Sequence, residues 1–205
     1  MKKRIITIER QYGSGGSIIG KLVADRLAIP CYNRQILEMT AQKCGLPLES
    51  LENAEEKVPT SFLYSLLLAS NVNKSYEDNL PLSDKVFIME SDIIRNLAKQ
   101  EESFVLVGRC GNYILENEGC FRVFIYGNKE KRIKRAIEDY GISPEKAETF
   151  LRKSDKRRET FYNSNSGRVW HDKEQYELCL NSSELGDELC ADIIIDTFKK
   201  LNSLK

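Results

Sequence analysis

A short β-branched run, Ile5-Ile6-Thr7-Ile8-Glu9, meets a turn built of glycine and serine, Gly13-Ser14-Gly15-Gly16-Ser17. The turn passes directly into a helical stripe with apolar residues at 18, 19, 22, 23 and 27. Strand, glycine turn and helix, in that order, point backbone N–H groups and a helix N-terminus at an anion. The usual phosphate-loop pattern is G-x-x-x-x-G-K-[ST], in which the lysine reaches the outer phosphates and the hydroxyl holds magnesium. Laid on that pattern, Arg10 stands at the first glycine and Gly15 is the second. Gly16 replaces the lysine, and Ser17 keeps the hydroxyl. The loop therefore says phosphate, and leaves open whether phosphate is transferred or only held. Gly20-Lys21 does not supply the missing pair. It lies too far from Gly13, Leu22 follows it, and Lys21 falls a turn inside the helix, past the N–H groups that bind anions.

Further along, helices and strands alternate. The pattern predicts strands over 4–9, 104–107, 122–126 and 176–180, with a short one beginning near 29–32. It predicts helices over 17–27, 61–69, 84–99, 129–140 and 184–201. Another runs to about Cys44 from a cap at Asn33, and a basic helix starts at Ser143-Pro144 and runs through Arg158. Residues 110–116 carry a weaker helical pattern, 70–83 read as a long loop, and 163–167 as a polar one. Alternation of this kind implies a parallel sheet covered on both faces. Ligands of such sheets sit at the carboxyl ends of the strands, which gathers 9–17, Gly108-Arg109 and Tyr126-Gly127, with 181–183 nearby.

Three arginine groups belong to that edge. Arg109 ends a buried strand and either forks a phosphate or pairs with a carboxylate. Arg132, Arg135, Arg152, Arg157 and Arg158, with Asp155, lie on two charged helices. These are either a solvated face or an arm that closes over a nucleotide and screens developing charge. Asp155 and Arg158 share a helical face, so Asp155 can orient that arginine. Arg34 is either an acceptor-phosphate ligand or a surface helix residue. His171, the single histidine, sits in a polar segment and is expected to face solvent.

Composition narrows the function classes. At 205 residues the chain fits one domain. A formal net charge of +0 gives no global field for nucleic acid or membrane. No apolar run approaches the roughly 20 residues that span a bilayer. The N-terminus has no signal-peptide core. Six cysteines lack C-x-x-C spacing and read as reduced, buried thiols of a cytoplasmic protein.

Taken together, several blocks resemble the cytidylate kinase-like proteins. They are Glu9-Arg10-Gln11-Tyr12-Gly13-Ser14-Gly15-Gly16-Ser17, Pro30-Cys31-Tyr32-Asn33-Arg34, Val107-Gly108-Arg109-Cys110, Val123-Phe124-Ile125-Tyr126, Asp155-Lys156-Arg157-Arg158 and Cys179-Leu180-Asn181-Ser182. The resemblance implies an α/β P-loop fold, a parallel sheet flanked by helices. It divides one domain into a core (1–30, 84–141 and 174–205), an NMP-binding insertion over about 31–83 and a helical lid over about 142–173. It implies transfer of the γ-phosphoryl of ATP, with Mg2+, to a nucleoside monophosphate, CMP or dCMP first. Gly13, Ser14, Gly15, Gly16 and Ser17 would hold ATP phosphates, with Ser17 at the metal and Arg135 and Asp155 beside the nucleotide. Arg109, Arg132 and Arg158 would serve catalysis, and Arg34 and Arg109 the acceptor. Apart from the resemblance, Arg10, which precedes the turn and can fold its side chain back over the loop, is the candidate catalytic replacement for the missing lysine. The partner is a nucleotide rather than nucleic acid or membrane, and a homo-oligomer is compatible with all of this. The chain departs from true cytidylate kinases at Gly16, where they carry lysine, and at Cys110, where their Gly-Arg-Asp has aspartate. A phosphate-binding module without turnover therefore stands as the alternative.

Overall fold

The structure, a computed structural model, describes residues 4–51 and 81–203. The predicted helix over 61–69 and most of the predicted loop over 70–83 lie outside them.

Five parallel strands form the centre: β1 (Ile5–Arg10), β2 (Cys31–Tyr32), β3 (Phe104–Val107), β4 (Cys120–Tyr126) and β5 (Leu178–Asn181), in the order β2-β3-β1-β4-β5. Strand β1 is the middle of the sheet. Ile8 pairs with Val107 on one side and Val123 on the other. Alternation sends successive side chains to opposite faces. Ile6, Ile8, Val105, Val107, Val123 and Ile125 enter one core, while Ile5, Phe104, Leu106 and Phe124 enter the other. Both faces are buried, so these strands read as continuous apolar runs. Each such fully buried side chain contributes about 1.5–3 kcal/mol.

Helix α1 (Gly16–Leu27) covers the first face together with the last helix, α7 (Ser182–Ser203). α2 (Gln35–Cys44) follows β2 and stops at Gly45, whose φ of 66° is left-handed. α3 (Leu82–Gln100) and the short α4 (Gly111–Ile114) lie on the second face. α5 (Lys129–Glu138) leads to α6 (Pro144–Ser166), which starts with proline in its first turn as predicted.

Three expectations are corrected. Asn33 does not cap α2: Arg34 holds the cap position and no side chain bonds there, because the Asn33 amide is drawn into the phosphate-loop region. The polar stretch 163–167 is not a loop. α6 continues to Ser166, since Tyr162, Asn165 and Ser166 are buried and the two polar ones bond back to carbonyls four residues earlier. The closing helix begins at once after β5 and breaks at Gly186 (φ 76°, ψ 166°). Of the cysteines, Cys110, Cys120 and Cys190 are buried, whereas Cys179 is exposed.

Candidate functional site

The glycine turn crosses the carboxyl edge of the sheet between β1 and α1. Its frame is fixed from below. Gln11 N–H donates to the Ile125 carbonyl at 3.0 Å, Ser14 Oγ to the Gln11 carbonyl at 2.9 Å, and Ser182 Oγ to the Ser14 carbonyl at 2.6 Å. Helices α5 and α6 fix it from above. Asp155 Oδ1 accepts from Tyr12 N–H at 2.6 Å. Arg132 Nη1 donates to the Tyr12 carbonyl at 3.0 Å and to Asp155 Oδ2 at 2.6 Å. The Tyr12 ring packs edge-on against Tyr140 and Phe150, with the Arg158 guanidinium 5.5 Å from its centre.

What this frame leaves open is a row of backbone donors. Among the described residues, the N–H groups of Gly15, Gly16, Ser17 and Ile18 have no protein acceptor. Gly15, at φ 76°, starts α1 without a side-chain cap. These are the orphan donors of a helix N-terminus, and they fit a polyphosphate. Ser17 is exposed, and its Oγ accepts from Asn33 Nδ2 at 3.3 Å. One hydroxyl beside phosphates suits Mg2+, which keeps most of its waters and takes few protein ligands.

Arg10 explains the missing lysine in steric terms. A Cβ on Gly16 would lie 2.5 Å from Arg10 Cβ and 2.8 Å from its Cγ. A Cβ on Gly108 would fall on Arg10 Nη1. The Arg10 stem therefore runs through the space that a side chain at position 16 needs. Its head passes Gly108 and reaches Asn33 Oδ1 at 3.4 Å. Against the loop pattern the two residue types are exchanged in sequence: arginine stands at the first-glycine position and glycine at the lysine position.

Next to this head lies a cavity of about 370 Å³. Among the described residues, five guanidinium groups line it (Arg10, Arg34, Arg109, Arg157 and Arg158), with one carboxylate, Glu9. Burial, then the neighbouring Arg10, pushes Arg109 down to about 10 and Arg158 down to about 9. Burial likewise lowers Arg10 and raises Glu9. Arg109 ion-pairs with the buried Glu90 at 3.0 Å, and burial pushes the Glu90 carboxyl up. Arg109 and Cys110 hold φ of 62° and 51°, a left-handed pair of non-glycine residues that turns both side chains toward the pocket. Like charges are thus held close together in the pocket, partly offset by Glu9 and Glu90.

The remaining site residues fall as follows. Arg158 Nη1 donates to the Arg10 carbonyl at 3.0 Å. Arg132 is buried in the Tyr12–Asp155 junction rather than lining the cavity. Arg135 lies over Gly15, where a Cβ would meet its Nη1, and pairs with Asp187 at 3.0 Å. Gly13 tucks against α5, since a Cβ there would lie 2.6 Å from the Arg132 carbonyl. Arg34 is exposed at the cavity rim, 3.6 Å from Glu38. His171 is exposed, as expected. Sequence reading gathered Glu9 at this edge without giving it a role, took Asn33 as a helix cap, and missed Glu90. A glutamate ending an otherwise apolar strand just before the loop was the available signal for Glu9. Glu90 and Asn33 gave none, because each acts through a partner distant in the chain.

Parallel sheet, glycine turn and helical cover make this a P-loop kinase fold. A family model for the cytidylate kinase-like family matches residues 5–184, and the chain belongs to that family. Among solved structures it is similar to an uncharacterized protein from Eubacterium ventriosum: 26% identity, 96% of this chain and 99% of that one, TM-score 0.71. It is also similar to shikimate kinase from Acinetobacter baumannii in complex with shikimate (14% identity, 99% and 96% covered, TM-score 0.55). The shikimate kinase from Bacteroides thetaiotaomicron is a third (14%, 97% and 97%, TM-score 0.52). At those last identities the likeness is one of fold. No curated protein matches the sequence.

Proposed function

We propose that the protein transfers the γ-phosphoryl group of ATP to a small anionic acceptor, with CMP and dCMP the first candidates because of the family. The observation that carries this reading is the adjacency of two features. One is a row of open N–H groups at the start of α1, and the other a cavity ringed by five guanidiniums. The turn 13–17 wraps the ATP phosphates, with the open amides of Gly15, Gly16 and Ser17 as donors, and the Ser17 hydroxyl takes Mg2+. When bound, that ion supplies charge neutralisation on the phosphates. Arg10 does the work of the absent loop lysine. A positioned cation of this kind contributes about 3 kcal/mol to phosphoryl transfer, by analogy with a single oxyanion donor. Arg158 and Arg109 screen the charge that builds on the transferred group, and Arg109 and Arg34 receive the acceptor. Arg132 and Asp155 serve by holding the loop to α6, and Arg135 by covering Gly15 beside the nucleotide. The region around 142–173 acts as the lid, and the insertion around 31–83 as the acceptor side.

Partners are then small phosphorylated molecules rather than nucleic acid or membrane, and the setting is the cytoplasm. Among the described residues no helix is long and apolar enough to cross a membrane. A coupled assay of ADP release across nucleoside monophosphates and other small anions tests the reading. Folded protein that binds ATP but releases no ADP with any acceptor contradicts it. That outcome favours the second reading, a nucleotide-binding module without turnover, for which Gly16 at the lysine position is the supporting observation.

A further inference from the structure

The cavity contains one group that a purely anion-binding pocket does not need. Glu9 is the next-to-last residue of β1, with its side chain on the Ile5 and Thr7 face, and it is buried among arginines. A carboxylate there weakens the hold on any phosphate or carboxylate ligand. It is nevertheless fixed in place: the Trp170 indole N–H donates to Glu9 Oε2 at 3.1 Å. The other oxygen, Oε1, has no hydrogen-bond partner among the described residues.

Elimination over the described lining shows what that oxygen can do. The arginines are donors only. The Cys110 thiol stays protonated because burial pushes it well above its ordinary value, and the Tyr162 phenol is pushed up to about 12 by burial. Leu37 and Phe161 are apolar. Glu9 is the single lining carboxylate among the described residues, and its open oxygen faces the cavity as a proton acceptor. A phosphate acceptor needs none taken, since its oxygen is already anionic. An alcohol does need one taken as its oxygen attacks phosphorus.

We infer that Glu9 is the general base of the reaction and that the acceptor is a small alcohol carrying a carboxylate or phosphate group. The inference rests on the phosphotransferase reading above and narrows its acceptor from a phosphate oxygen to a hydroxyl. In the step, the acceptor oxygen bonds to the γ-phosphorus of ATP, the bond from that phosphorus to the β-γ bridging oxygen breaks, and ADP leaves. The hydroxyl proton passes to Glu9 Oε1. The acceptor's own anionic group meets Arg109, Arg157 and Arg34, while Trp170 keeps the carboxylate from turning onto the arginines.

The test compares wild type with Glu9→Gln, whose amide oxygen still accepts from Trp170. ADP release and 31P spectra are recorded with D-glycerate, gluconate, glycerol 3-phosphate, CMP and dCMP, and with water alone. ATP affinity is measured by calorimetry. The expected result is a new phosphate monoester on at least one of the three hydroxyl compounds. Glu9→Gln should then lower kcat by about 10²- to 10⁴-fold, with ATP affinity kept within about threefold. The wild-type rate should also rise with pH through an acid limb that Glu9→Gln lacks. That limb is set by Glu9 against the groups facing it: Arg10 on its own strand, Arg109 and Cys110 after β3, Arg158 and Tyr162 on α6, and Trp170 and Tyr176 beyond.

Turnover confined to CMP or dCMP, giving a nucleoside diphosphate, overturns the inference and leaves the phosphotransferase reading standing. So does a Glu9→Gln rate within about threefold of wild type. No ADP with any acceptor, water included, from protein that binds ATP overturns both.

Discussion

Two neighbouring regions of this molecule use the same residue types to opposite ends. Where the phosphate loop meets α6, Arg132, Asp155 and the Tyr12 backbone bond one another at 2.6–3.0 Å, so the charges there are spent on holding the protein together. A few residues away, Arg10, Arg109 and Arg158 crowd around a cavity with their pKa values pulled down, while Glu9 and Glu90 beside them are pushed up. Burial is the first cause of each of these shifts; the crowded arginines add to it among themselves, and Glu9 partly offsets it. The lesson is that arginine count does not mark the site. The candidate site lies where burial and like charges shift several ionisable groups together, which is the usual mark of a functional pocket.

Mutations should separate the regions. At the junction, Arg132→Ala strands the Asp155 carboxylate, and urea denaturation should show a loss of about 3 kcal/mol, the usual cost of breaking a largely buried pair. In the pocket, Arg158→Ala should cost about 100-fold in kcat/KM, near 2.7 kcal/mol. Its stability should change by less than about 1 kcal/mol, because the loss of one hydrogen bond is offset by relief of crowding. If the two variants exchanged these phenotypes, the distinction between the regions would fail.

A smaller effect tests the buried carboxyls. Burial pushes Glu90 up to about 8 and raises Glu9 as well. A carboxyl with a raised pKa binds its proton more tightly in the folded state. Its contribution is complete below its ordinary value near 4.5 and fades as pH rises through the folded value. Between pH 5 and 8 the melting profile should therefore lose about 1–2 kcal/mol, less than an unpaired carboxyl would give because Arg109 faces Glu90. Glu90→Gln should flatten that slope. Smallest of all, Arg34→Ala should change stability by less than about 0.5 kcal/mol, since its exposed pair with Glu38 is one turn apart on α2.

Much of the fold was legible because β3 is an unbroken apolar run, β1 and β4 are largely apolar, and α2 stops at a glycine, Gly45, whereas the end of α6 at Gly167 was not read. The loop was legible because its glycines are adjacent in sequence. The division of labour among the arginines was not. Arg132 and Arg158 look alike on two charged helices, and only the Tyr12 backbone between them decides that one is a strut and the other faces the cavity. Glu90 gave no signal either. It reads as one more polar position on an amphipathic helix until Arg109, 19 residues away, is seen to cover it. The cap at Asn33 failed for a related reason: its amide joins Arg10 to Ser17 instead of serving its own helix.

The exchange between Arg10 and Gly16 is the centre of this account, and ATP affinity across a double-mutant cycle measures it directly. Arg10→Gly removes the cation. Gly16→Lys supplies one, but into space filled by the Arg10 stem. Each single change should weaken calorimetric ATP binding by about tenfold or more, and the combined R10G/G16K protein should recover most of the loss, a coupling of about 1.5 kcal/mol or greater. If the losses simply add, or if R10G alone binds ATP as wild type does, Arg10 is not standing in for the lysine.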